Sequence, residues 1–305
     1  MELFSVSIPS PAAGRLIAEL ERRIGQIGVA ASFETADLPA AGESRIVCHI
    51  PGSSRKSKTA EIALTVTAET LSQFLIQEKE KAWLERMIRR EFDYWADEDI
   101  RKILTYCIQV LEDSERGAEG EAGKWSGRAN KITREIKDFL ASERTMNLEG
   151  FVRFRLQDYM DDLRGVVEYA VDEFILDRQY QEFIALLKYF VFVQEAKIPM
   201  AHLIHKGNYD FVLLDEQLLP IETNQMEGLV LEMVEHDLNL EDMIVSTLIT
   251  VSPAKIRIHT HESGMQVIKT IGQIFEGRTE VCGHCAVCSP LLNKFYPKKP
   301  KSNPT

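Results

Sequence analysis

The chain has 305 residues, 45% of them apolar and 27% charged, a globular balance that excludes disordered and fibrous classes and leaves room for one large domain or two ordinary ones. A formal net charge of −11 argues against a general nucleic-acid binder, which needs a basic surface to displace the counterions of the phosphate backbone. No basic leader precedes a long apolar run at the N-terminus, and the most apolar window, FIALLKYFVFV at 183–193, is too short to cross a bilayer and contains Lys188, so neither a signal peptide nor a membrane span is expected.

In chain order, ELFSVSI predicts a strand and AAGRLIAELERRIGQ a short amphipathic helix, followed by GVAASFET, SRIVCHI and AEIALTV as strands between Pro-, Gly- and Ser-rich turns. Residues 1–67 therefore read as a small mixed unit. Helices take over from 68, with Leu71, Phe74, Leu75, Leu84, Met87 and Ile88 at helical spacing, and DEDIRKILTYCIQVLED opening with acidic residues that suit the positive end of a helix. SERGAEGEAGKWSG at 114–127 interrupts them as a loop. The block from Asn147 to Gln194 has one apolar stripe from Leu156 to Phe174 and a second from Phe183 to Val191, and is expected to break into two packed helices near Asp177.

The chain changes character again after residue 197. MAHLIHKGNYDFVLLDEQLLPIE predicts short strands forming a hairpin, EGLVLEMVEHDLNLEDMIVSTLIT one or two helices, AKIRIHTH a strand, SGMQVIKTIGQIF a helix and RTEV a short strand. The fold class is α+β: a small N-terminal unit (1–67), a helical middle (68–197), a C-terminal hairpin plus β-α-β unit with a cysteine-rich loop (198–290), and a disordered tail (291–305).

The sharpest chemical signal is VCGHCAVC at 281–288, where Cys282, Cys285 and Cys288 stand three apart. The expected compartment is the cytoplasm, where thiols stay reduced, so such a cluster points to a metal or reactive site before a disulfide frame. Three thiolates from one tight loop can converge on one ion, and zinc takes four ligands. If the strands before and after the SGMQVIKTIGQIF helix form a crossover unit, they run parallel and bring the end of the first, at His259 and His261, beside Cys282 at the end of the second. His259 is then the expected fourth ligand, with His261 or His284 as alternatives. An iron–sulfur cluster is the competing cofactor, although the position where bacterial ferredoxins place a fourth cysteine holds Leu292. A redox-active thiol pair is the third possibility. Cys107 lies within the apolar set of its helix and Cys48 alternates with polar neighbours in a strand, so both read as buried, inert thiols.

Other motifs read as ordinary surface. AEGEAGKWSG lacks the Gly and the Ser or Thr of a phosphate loop, having Ala118 and Trp125 there, and Asp215 and Glu216 read as turn residues. His202 and His205, three apart on a strand, face opposite sides and read as surface or strand-end residues. Glu168, Asp172, Glu173 and Asp177 read as a solvated helix face, because the His partners of helical two-metal sites are absent from 50–201.

Three longer stretches, FVRFRLQDYMDDLRGVVEYAVDEFILDRQYQEFIALLKYFV, FVLLDEQ and DMIVSTLITVSPAKIRIHTH, resemble the YtxC-like family of sporulation proteins over most of 148–288. The resemblance implies a role in sporulation and supplies no catalytic residue. With no acid–base pair, nucleophile or cofactor loop to assign, the expected function is a non-catalytic structural or interaction factor whose partner is another protein and whose zinc clamps the C-terminal unit. The alternative is a metal- or thiol-dependent enzyme or redox sensor built on the same cysteines.

Overall fold

The computed structural model describes residues 1–38, 42–51, 57–117, 125, 127–207, 210–221, 240–282, 285 and 288, and the chain divides into two compact units between Leu176 and Asp177.

Unit 1 opens with strand β1 (Glu2–Pro9), whose side chains are buried from Leu3 to Ile8, and helix α1 (Ser10–Gln26), which has a proline in its first turn and buries Leu16, Leu20 and Ile24 at four-residue spacing. Strands β2 (Ser32–Leu38) and β3 (Glu43–His49) follow, and the sheet order is β2-β3-β1-β4, antiparallel except for β4 (Thr145–Asn147), which pairs parallel to β1. β4 is three residues long, too short to show an alternating pattern in the sequence.

AEIALTV is not a strand. It belongs to helix α2 (Lys58–Leu75), which Ser57 starts by accepting a hydrogen bond from the Ala60 amide at 3.2 Å, with Glu61 in the first turn. The buried set Ala60, Ala63, Leu64, Thr67, Ala68 and Leu71 repeats at three- and four-residue intervals, so burial on one long helix overrides the β-propensity of Ile62, Thr65 and Val66. A π-helical turn (Ile76–Glu80) joins α2 to α3 (Lys81–Glu91). It turns Glu80 into the interior, where Tyr159 donates a 2.5 Å hydrogen bond to it and Arg128 pairs with it at 3.2 Å. α4 (Asp97–Glu115), α5 (Arg128–Ser142) and α6 (Leu148–Arg155) complete the unit with the first part of α7 (Gln157–Val193). One apolar core runs through all of these elements, from Leu3 to Phe174, and includes Cys48 and Cys107.

The expected break near Asp177 does not occur: α7 is one helix of 37 residues. No Pro or Gly lies between Gly165 and Val193, so nothing removes a hydrogen bond or relaxes the backbone there. The change of stripe is met by an exposed turn, Ile175–Gln179, between the last residue packed in unit 1's core, Phe174, and Tyr180, which packs against unit 2's.

Unit 2 holds a second sheet, ordered β6-β5-β7-β8, made of β5 (Ile198–Gly207), β6 (Asp210–Asp215), β7 (Pro253–His259) and β8 (Thr279–Cys282). β5 and β6 form the expected antiparallel hairpin, while β5–β7 and β7–β8 are parallel. Asp215 Oδ1 accepts from the amides of Gln217 and Leu219 and so closes the turn after β6, a structural task. Helices α8 (Leu240–Val251) and α9 (Gln266–Ile274) pack with the end of α7 around Leu203, Leu248, Ile256, Ile258, Ile271 and Phe275. α9 connects β7 to β8 and makes the crossover unit. The tail at 291–305 lies outside the described residues.

Candidate metal centre

The crossover places the strand ends side by side. In the β7–β8 ladder His259 stands opposite Cys282, and the Thr260 amide donates to the Cys282 carbonyl at 3.4 Å. β7 anchors its half of the site firmly, since Ile256 and Ile258 are core residues and His259 itself is fully buried. β8 does not: Glu280 and Val281 are exposed, and Val281 retains 50% of its surface.

Cys285 and Cys288 close over this edge. The Cys285 amide donates to Cys288 Sγ at 3.1 Å, and the Cys288 amide donates back to Cys285 Sγ at 3.5 Å. These reciprocal bonds hold the two sulfurs 3.5 Å apart, and Cys285 Sγ lies 3.7 Å from His259 Nδ1. The ligand atoms of His259, Cys282, Cys285 and Cys288 all fall within 4.8 Å of one another. Ile204, Val212 and Leu214 pack around Cys288 as an apolar surround. Among the described residues this is the group of side chains that can hold a metal ion. His261 is exposed and outside the group, and His284 lies outside the described residues.

The electrostatics favour a cation. Burial first, and then the neighbouring Cys285 and Cys282, push the Cys288 thiol up to about 11, against the opposing help of the Cys285 amide. A thiol held that high is a poor nucleophile, whereas a divalent cation expels its proton and binds the thiolate. His259 is lowered to about 4 by burial, then by His202 and Arg257, so it is neutral near pH 7, the form in which imidazole is a ligand. Arg257, ion-paired with Glu280 at 2.9 Å, is held protonated by that carboxylate and also by Cys282 and Cys285.

His202 and His205 are not surface residues. They retain 6% and 0% of their surface; His202 Nδ1 lies 3.0 Å from His259 Nε2, and His205 Nδ1 lies 3.0 Å from Thr260 Oγ1. The expectation failed because β5 is buried on both faces from Ala201 to His205: Ala201 and Leu203 lie in the core packed by the helices, while Ile204, on the same face as His202, packs beside Cys288. The missed signal was the likeness of AHLIH to KIRIH, two strands with a histidine at the same end.

The chain is mixed α/β with two small sheets, and its second unit brings three cysteines and one histidine together in a partly buried cluster; among the described residues no helix is long and apolar enough to cross a membrane. The chain belongs to the YtxC-like family, whose model matches residues 65–280. It is 24% identical over 212 residues to a Bacillus subtilis (strain 168) protein described as "Uncharacterized protein YtxC", which covers 69% of this chain and 74% of that one. No solved structure matches. The family match includes His259 and ends two residues before Cys282.

Proposed function

We propose that the protein is a non-catalytic structural or interaction factor in sporulation, in which a zinc ion bound by His259, Cys282, Cys285 and Cys288 clamps the C-terminal end of the chain to the second sheet. The observation that carries this is the spacing of the donors. Zinc–sulfur bonds of about 2.3 Å in a tetrahedron set sulfurs roughly 3.8 Å apart. The distances of 3.5 and 3.7 Å around Cys285 match that edge. A cluster of several iron and sulfide ions spreads its four ligand atoms over more than one metal, so the gathering of all four donors within 4.8 Å of one another favours a single zinc ion over iron–sulfur.

Four protein donors fill a tetrahedral shell and leave no position for a substrate or an activated water, which supports a structural role. Unit 2 also has an open apolar groove of about 630 Å³ between α7, α8 and α9, lined by Tyr180, Phe183, Leu187 and Ile249 among others, and no member of the cluster lines it. The sporulation role rests on the family resemblance. With a net charge of −11, the partner in this reading is another protein rather than a nucleic acid, met in the cytoplasm.

Elemental analysis and an absorption spectrum of protein purified without a metal-affinity tag test the clamp. The expected result is one equivalent of zinc and no visible absorption. Brown protein would replace zinc by an iron–sulfur centre, and metal-free protein with reactive cysteines would remove the clamp altogether.

A further inference from the structure

A metal-binding histidine must present one nitrogen as a bare lone pair, and the tautomer that does so is set by what the other nitrogen bonds. His259 faces the cluster with Nδ1, which lies 3.7 Å from Cys285 Sγ, and faces His202 with Nε2, at 3.0 Å from His202 Nδ1. The two imidazoles are nearly parallel, 18° apart, with centres 5.3 Å apart. That separation is about what the 3.0 Å contact and the two ring radii add up to, so the rings meet edge to edge in a near-common plane. This is hydrogen-bond geometry, not face stacking.

The sheet builds this contact. Ile204 on β5 pairs with His259 on β7, and His202 pairs with Arg257, so His202, Ile204, Arg257 and His259 share one face. Both rings are buried, with 6% and 0% of their surface left. Two neutral imidazoles can share one hydrogen bond only if one donates and the other accepts.

We infer that His202 is a positioning residue for the metal centre: it accepts the Nε2–H of His259 on its own Nδ1, and so locks His259 in the tautomer that offers Nδ1 to the ion. This rests on the metal-clamp reading above and adds to it a named atom of coordination and a residue outside the ligand set. The bond also fixes the ring's rotation, so that the Nδ1 lone pair is aimed at the sulfurs before any ion arrives.

Nitrogen-15 and proton correlation spectra of the zinc-loaded wild-type protein read the tautomer directly. A protonated Nε2 and a metal-shifted Nδ1 on His259 are expected; metal on Nε2 would overturn the inference even if zinc is bound. Competition against a zinc chelator should then show H202L losing affinity by about 10- to 100-fold, the usual effect of removing an outer-shell partner of a ligand histidine. H202N, whose side-chain oxygen stands near the lost Nδ1, should recover most of that loss. Zinc affinity and His259 resonances in H202L equal to wild type would overturn the positioning role while leaving the clamp intact. Wild-type protein that binds no zinc would overturn both.

Discussion

The two units treat cysteine in opposite ways. In unit 1, Cys48 and Cys107 are fully buried in the apolar core, and burial pushes each thiol up to about 12; they are small hydrophobes. In unit 2, three cysteines gather at the open edge of a sheet, with amide donors aimed at two sulfurs and a neutral histidine facing them. The difference follows from what holds each edge. Unit 1's helices and strands share one continuous core, whereas β8 presents Glu280 and Val281 to solvent and has little apolar surface with which to anchor itself. Where apolar burial is scarce, a metal can take over the task of holding the chain.

The largest test of this contrast is metal removal. In small zinc peptides the binding free energy is folding free energy, on the order of 10 kcal/mol. Chelation, or C285S, should therefore release β8 and lower the melting point of unit 2 while leaving unit 1 folded. The three tryptophans, Trp83, Trp95 and Trp125, all lie in unit 1, so their fluorescence should stay native while amide exchange at β8 rises. A change in tryptophan emission that tracks zinc loss would break the comparison.

A smaller effect is expected from the apolar side. L71A empties a fully buried position on α2 and should cost about 2–5 kcal/mol in a urea titration followed by tryptophan fluorescence. Zinc content should be unchanged.

Smaller still is the alkaline response. Thiols held protonated near 12 in the fold but free to ionise near their ordinary value in the unfolded chain contribute stability that is complete below that ordinary value. It is lost as pH rises from about 9 towards 12. At pH 10 the loss is roughly 1–2 kcal/mol per thiol. Unit 1 melting in a C107A variant should be less sensitive to pH above 9 than in the wild type; equal sensitivity would remove Cys107 from the account.

Much of this was readable in the residues. The hairpin, the parallel crossover and the meeting of His259 with Cys282 followed from chain order and the geometry of β-α-β units. What stayed hidden depended on burial supplied by distant segments. AEIALTV has a strand's residue types, and only its continuity with Leu71 and Phe74 makes it a helix. The turn at Ile175–Gln179 looks like a break in pattern, yet the backbone has no reason to stop there. His202 could be placed only once β5 was known to lie beside β7, a pairing between strands more than forty residues apart in sequence.

The opposition of His259 and Cys282 has one more consequence. An edge strand of four residues with little apolar surface has weak control over its own alignment, and a slip by one position turns every side chain to the other face. Cys282 would then leave His259, and the cluster would come apart. With a metal bound, the centre would work as a pawl on β8, admitting a single alignment of the strand. A one-residue insertion between Phe275 and Thr279 should then be taken up in that connection, with zinc still bound; a variant that loses zinc would show that the connection, not the centre, sets the alignment of β8.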